Sequence, residues 1–91
     1  MISEMPAGLS PYKRTPEFAA ATTPAGLLRD HSTAAGVWGR IVVLAGNVEY
    51  EISGTGEIAF LDATTPGFIE PQVTHRVTPS DDARFYVEFW R

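Results

Sequence analysis

The stretch Val37-Trp38-Gly39-Arg40-Ile41-Val42-Val43-Leu44-Ala45-Gly46-Asn47-Val48-Glu49-Tyr50-Glu51-Ile52 decides the fold class. Up to Ala45 it is rich in β-branched residues, which fit a pleated, half-buried surface better than a helix. Val48–Ile52 then alternates apolar and acidic residues, the period-two pattern of a strand with one buried face. Gly46-Asn47 lies between them, and both residues tolerate positive φ, so the pair predicts a tight hairpin.

Working outward, the punctuation continues at intervals near ten residues. Gly54-Thr55-Gly56 predicts a turn, Glu57–Leu61 a strand and Asp62–Gly67 a loop. Phe68-Ile69 begins a strand that Pro71 interrupts, and His75–Thr78 resumes it. Pro79-Ser80-Asp81-Asp82 turns the chain into a last strand, Arg84–Trp90. There Phe85, Val87 and Phe89 share one face and Tyr86, Glu88 and Trp90 the other, so both faces are expected to be covered. Upstream, Pro6, Pro11, Pro16 and Pro24 predict an extended, turn-rich segment. The best helical candidate is one turn at Pro24–Leu28, with Thr23 as N-cap. The pattern reads as an all-β chain, a small sandwich or barrel, forming a single domain over residues 1–91.

Composition narrows the functions. With 91 residues, 44% of them hydrophobic and 20% charged, the chain can bury one modest core and is not expected to be disordered. The net charge is −4 and Lys13-Arg14 is the only basic pair, which argues against nucleic acid. Cysteine is absent, excluding disulfides, thiolate metal sites and thiol catalysis. The longest apolar run, Ile41–Ala45, is far too short for a bilayer span, and Met1-Ile2-Ser3-Glu4 lacks the pattern of a signal peptide. A cytoplasmic protein without membrane contact is the expectation. No nucleophile elbow and no phosphate loop occur, which leaves His31 and His75, with nearby carboxylates, as the residues able to carry chemistry.

Two phrases carry a family resemblance. Gly67-Phe68-Ile69-Glu70-Pro71-Gln72-Val73-Thr74-His75 resembles the second motif of cupins. His31 through Gly46 resembles the first, a histidine followed by a strand ending in a glycine turn. Leu9–Pro16, Leu27–Ser32, Val37–Leu44, Ile69–Val73 and Phe85–Arg91 are similar to a small cupin-like family related to the N-terminal part of tellurite-resistance protein TehB. The resemblance implies a cupin-like β-barrel, a double-stranded β-helix or jelly roll. It also implies strands that bring His31 and His75 side by side. The sequence departs from the usual cupin set, because Gly39 stands near the place of the first-motif glutamate and Glu70 stands where proline is commoner.

On that reading His31, His75 and a carboxylate would hold a divalent metal, with zinc favoured and iron or manganese as alternatives. Glu70 is the first choice of carboxylate, since it precedes the turn that presents His75, and Glu88 the second. Asp30 would orient His31, and Trp38 and Arg40 would belong to a pocket for a small molecule or anion. Plainer readings stand beside these. His31 is also a solvated loop histidine, His75 a histidine bonded to turn backbone, and Glu70 an acceptor of turn N–H groups. Glu88 is also the cross-strand partner of Arg40 or Arg84.

Three functions follow: a metal-binding cupin, enzymatic or not, in tellurite or other stress response; a non-catalytic module for a small ligand or oxyanion; and a structural module. Methyl transfer is set aside, because it belongs to an S-adenosylmethionine-binding α/β domain and this chain has no glycine-rich strand–helix signature. The terminal strand and Val37–Leu44 would be hazardous as free edges, so a homodimer is expected.

Overall fold

In the structure, a computed structural model describing residues 1–91, the chain forms β1 (Pro11–Arg14), β2 (Phe18–Ala19), β3 (Trp38–Ala45), β4 (Val48–Ile52), β5 (Ile58–Leu61), β6 (Gly67–Ile69), β7 (His75–Pro79) and β8 (Arg84–Trp90). Single 3-10 turns at Ala20–Thr22 and Ala25–Leu28 are the only helical pieces. All pairing is antiparallel. The larger sheet has the order β1-β8-β3-β6, with β2 also against β8, and the smaller sheet has the order β5-β4-β7.

Strand alternation sets the core. Ile41 and Val43 of β3, Ile69 of β6 and Phe85 and Val87 of β8 point inward from one sheet. Val48 and Tyr50 of β4, Leu61 of β5 and Val77 of β7 meet them from the other, and all are buried in one cluster. Burying side chains of this size contributes about 1.5–3 kcal/mol each. Gly67 permits a close approach of the two sheets. A Cβ there would stand 2.6 Å from Leu61 Cδ1, so the missing side chain lets β6 settle onto β5.

The expected hairpin at Gly46-Asn47 is a corner instead. β3 and β4 are not paired; the chain passes from one sheet to the other between them. Gly46 has φ +63, and a Cβ there would meet Asp82 Oδ1 at 2.6 Å and Ala83 Cα at 2.9 Å. The neighbouring turn after β7 makes the reverse crossing, and the two corners are stitched together. Ser80 Oγ accepts from Asn47 N at 3.0 Å, and Asn47 O accepts from Ser80 N at 2.9 Å. Gly46 alone takes a positive φ, whereas a tight two-residue hairpin of the Asn-Gly class uses it at both central residues, and the non-local contact decides for the corner.

Three further expectations are corrected. No closed barrel forms, because β1 and β6 end one sheet and β5 and β7 the other, with no ladder joining these edges. β3 and β8 are inner strands of the sheet order rather than edges, although β6 flanks β3 only over Gly39–Ile41. Thr23 does not cap the turn that follows it, because its hydroxyl donates back to Ala19 O at 2.8 Å.

Candidate functional site

The histidines meet where the chain before β3 crosses the outer edge of β7. His31 and His75 form an isolated antiparallel bridge, each backbone N–H donating to the other's carbonyl at 2.8 Å. His31 thereby takes the place beside β7 that a fourth strand would occupy. Thr33 shapes the following loop, its hydroxyl donating to Val37 O at 2.7 Å, while its carbonyl accepts from Gln72 N at 3.2 Å.

The two rings pack edge to face with centroids 5.5 Å apart, and Tyr50 also packs edge to face with His75 at 5.6 Å. His75 is 1% exposed. Its Nδ1 lies 3.1 Å from Val73 O, so in the neutral ring Nδ1–H donates there and Nε2 is left as an acceptor. Burial holds the His75 pKa below 6.5, the Val73 carbonyl opposes the shift, and His31 adds to it. His31 is half-buried, and its Nδ1 is buried without a hydrogen-bond partner.

Both rings line a cavity of about 30 Å³ walled by Leu27, Ile41, Ile69, Phe85, Val87 and Phe89, among others. A site for one water needs roughly 10–15 Å³, so this space suits a water or a group of similar size. Beside it, sharing His31, Thr33 and Phe89, runs an open groove of about 270 Å³ lined also by Tyr12, Lys13 and Ser32.

The remaining candidates lie elsewhere. Glu70 sits in the turn after β6, where its carbonyl accepts from Val73 N at 3.3 Å, and it does not line the cavity. Its charge bears on Tyr50 instead. The Tyr50 pKa is pushed up to about 12, first by burial and then by Glu70 and Glu57, and its hydroxyl donates to Phe68 O at 3.1 Å. Asp30 does not orient His31; its Oδ1 accepts from Ser53 Oγ at 2.6 Å. Trp38, Arg40 and Glu88 alternate with the inward residues of β3 and β8 and so occupy the outer face, where Arg40 Nη1 lies 3.6 Å from Glu88 Oε1.

The expected metal centre is therefore not assembled. No group of three or more His, Cys, Asp or Glu side chains comes together: alternation sends Glu88 outward next to the inward Val87, and Glu70, next to the inward Ile69, does not line the cavity. The sequence marks Tyr50 as a core or subunit-interface residue rather than a neighbour of the histidines, and it does not single out the groove residues Lys13 and Ser32 for a site. Tyr50 was legible as an inward position two residues after Val48, whereas nothing periodic marks Lys13 and Ser32.

Residues 13–87 match the TehB-like domain family. The chain is 33% identical over 85 residues to the probable S-adenosyl-L-methionine-dependent methyltransferase TehB of Haemophilus influenzae, strains 10810 and Rd. That match takes in 87% of this chain and 30% of TehB, so the chain spans about a third of the length of these curated relatives. The crystal structure of H. influenzae TehB superposes with a TM-score of 0.82 at 29% identity, over 94% of this chain and 32% of that one. A crystal structure of an E. coli K12 protein superposes with a TM-score of 0.88, covering 99% and 97% of the two chains; its 22% identity speaks for the fold alone.

These likenesses overturn the metal-binding cupin. Assignment to the cupins has no support among them, and the curated relatives are named for S-adenosylmethionine rather than zinc, iron or manganese. No helix is long and apolar enough to cross a membrane. The chain belongs to the TehB-like family.

Proposed function

We propose that this chain has a methyltransferase-related function, as the non-catalytic β domain of a TehB-type system, with residues 1–91 acting as one unit. The observation that carries this is the extent of the match: it runs through 87% of the chain yet takes in only 30% of TehB. The single core cluster, drawing on both sheets, supports treating the chain as one unit.

S-Adenosylmethionine does not fit the residues present. Ligand pockets usually enclose roughly 300–1,000 Å³; the cavity between the histidines holds about 30 Å³, and the larger spaces, about 270 Å³ at the groove and about 340 Å³ beside Met1 and Phe68, are open to solvent rather than enclosed. The glycine-rich turn between strand and helix that seats such cofactors has no counterpart in the sequence. Methyl transfer is thus the task of another domain, and this chain serves it through the His31–His75 pocket and the groove beside it. Lys13 supplies positive charge at the groove, Ser32 a hydroxyl, and His75 Nε2 an acceptor, a set suited to a small polar molecule or anion. The strand order β1-β8-β3-β6 against β5-β4-β7, with His31 continuing the second sheet past β7, supports reading the architecture as an open jelly roll.

The test is complementation in vitro. H. influenzae TehB lacking the segment this chain matches is assayed for S-adenosylhomocysteine formation with tellurite as acceptor, with and without this chain added. The chain is expected to restore part of the lost rate, and Lys13→Ala with His31→Ala to abolish that gain. Equal rates with and without the chain would overturn the reading.

A further inference from the structure

We infer that the outer face of the larger sheet is the interface of a two-fold homodimer. This inference is independent of the methyltransferase reading.

The face is built by the cross-strand pairs of β3 and β8: Trp38 opposite Trp90, Arg40 opposite Glu88, and Val42 opposite Tyr86. Phe68 of β6 stands beside Arg40, and the Arg14 guanidinium lies over the Tyr86 ring at 4.5 Å. Tryptophan, tyrosine, phenylalanine and arginine are the residue types concentrated at the centres of protein interfaces.

Of the four buried side-chain polar atoms without a hydrogen-bond partner, three belong to this face: Arg40 Nε, Glu88 Oε1 and Trp90 Nε1. Arg40 and Glu88 attract one another, but at 3.6 Å they are too far apart for a hydrogen bond. These atoms are already covered by the chain's own side chains, so a partner engages the open parts of the same residues, 39% of the Arg40 side chain and 21% of that of Glu88. The outer face of the smaller sheet differs, since Arg76 there donates to Glu51 Oε1 through both Nε at 3.1 Å and Nη2 at 3.0 Å.

The charges select the occupant. The face carries Arg14, Arg40 and Glu88, with Glu88 standing between the two arginines on the neighbouring strands, so a partner of one sign would satisfy some of these charges and repel the rest. A second copy turned about a two-fold axis through the pair sets Arg40 against the partner's Glu88 and Glu88 against the partner's Arg40, so the patch is complementary to itself. Around the Arg40–Glu88 pair edge pairing is closed, because β6 flanks Gly39–Ile41 of β3 and β1 flanks β8, so association at this place uses the face.

Light scattering and sedimentation over a dilution series of the intact chain test this. The expected result is a concentration-dependent dimer. Both tryptophans of the chain lie on this face, so indole emission should shift to the red in step with the fall in mass. Arg40→Glu alone and Glu88→Arg alone should each be monomeric, because like charges then meet across the axis. Mixing the two variants should give a heterodimer, and the double variant should recover the homodimer. Val42→Arg, away from the ion pair, should also be monomeric, whereas Phe60→Ser on the other sheet should stay dimeric. A wild-type monomer at every concentration overturns the proposal. So does a dimer whose tryptophan emission ignores dissociation, or one that survives both single charge reversals.

Discussion

Two places in this chain take polar side chains out of water, and they resolve the cost differently. In the interior, His75 gives its Nδ1–H to the Val73 carbonyl two residues earlier and sets its ring between His31 and Tyr50. On the outer face, Arg40, Glu88 and Trp90 each keep an atom without a partner. The cause is the local backbone. Val73 lies in a turn, where a carbonyl is free to accept. Arg40 and Glu88 sit within a continuous ladder whose carbonyls are already engaged by neighbouring strands. A buried polar group beside a turn can be satisfied by its own chain; one on a ladder face depends on side chains or on a second molecule.

The strongest way to break this comparison is truncation on each side of it. His75→Ala removes a fully buried ring and leaves the Val73 carbonyl unmatched, and should lower unfolding stability by about 3 kcal/mol. Arg40→Ala, measured at dilutions where the chain is monomeric, should cost about 1 kcal/mol or less, because the pair is partly exposed and its geometry poor. Urea unfolding of the two variants checks both values. Equal losses would mean that the outer pair is already fully engaged within one chain.

A pH series sharpens the interior side. The folded His75 pKa lies below its ordinary 6.5, so the unfolded chain takes up the proton first as pH falls. Stability should be complete above about pH 6.5 and decline below it, until the folded ring itself protonates. Glu57 and Asp62 are held below their ordinary 4.5 and 3.8 by hydrogen bonds, from the N-terminal amine and Thr55 and from Thr64 respectively. Their contributions are present above those values and fail only at lower pH, which leaves the window just under neutrality to His75. The urea midpoint should fall between about pH 7.5 and about pH 5, and His75→Gln should flatten that fall. An unchanged slope in the variant would assign it to another group.

The inward sets Ile41/Val43, Val48/Tyr50 and Phe85/Val87 were legible in the sequence because strand alternation is local. Sheet membership was not. Gly46-Asn47 suits a hairpin or a corner, and the choice rests on contacts with Ser80, Asp82 and Ala83, more than thirty residues downstream. The meeting of His31 and His75 was implied by family resemblance alone, since nothing around His31 is periodic. The same alternation that turns Val87 inward should have excluded Glu88 as a ligand. Glu70 was open to the same reasoning, since it follows the inward Ile69 in the alternation of β6. The short strands β1 and β2 were masked by the prolines around them.

A small effect of the same order as that of Arg40→Ala is expected from Tyr50, which repeats the interior solution at a second point. Its hydroxyl donates to the carbonyl of Phe68, so one hydrogen bond ties the core of the smaller sheet to β6 of the larger. Tyr50→Phe keeps the ring and forfeits that bond, which should cost about 1 kcal/mol. Because burial pushes the Tyr50 pKa from 10.0 to about 12, the unfolded chain loses this proton first as pH rises. The wild type should therefore lose stability between those values, and the variant should lose less of it there. Phenolate absorbance should show a late step near pH 12 that disappears in Tyr50→Phe. Dimer mass should not change, since the hydroxyl points into the core while the interface lies outside. A variant that dissociates would show that the two polar environments communicate through β6, and the division between them would fail.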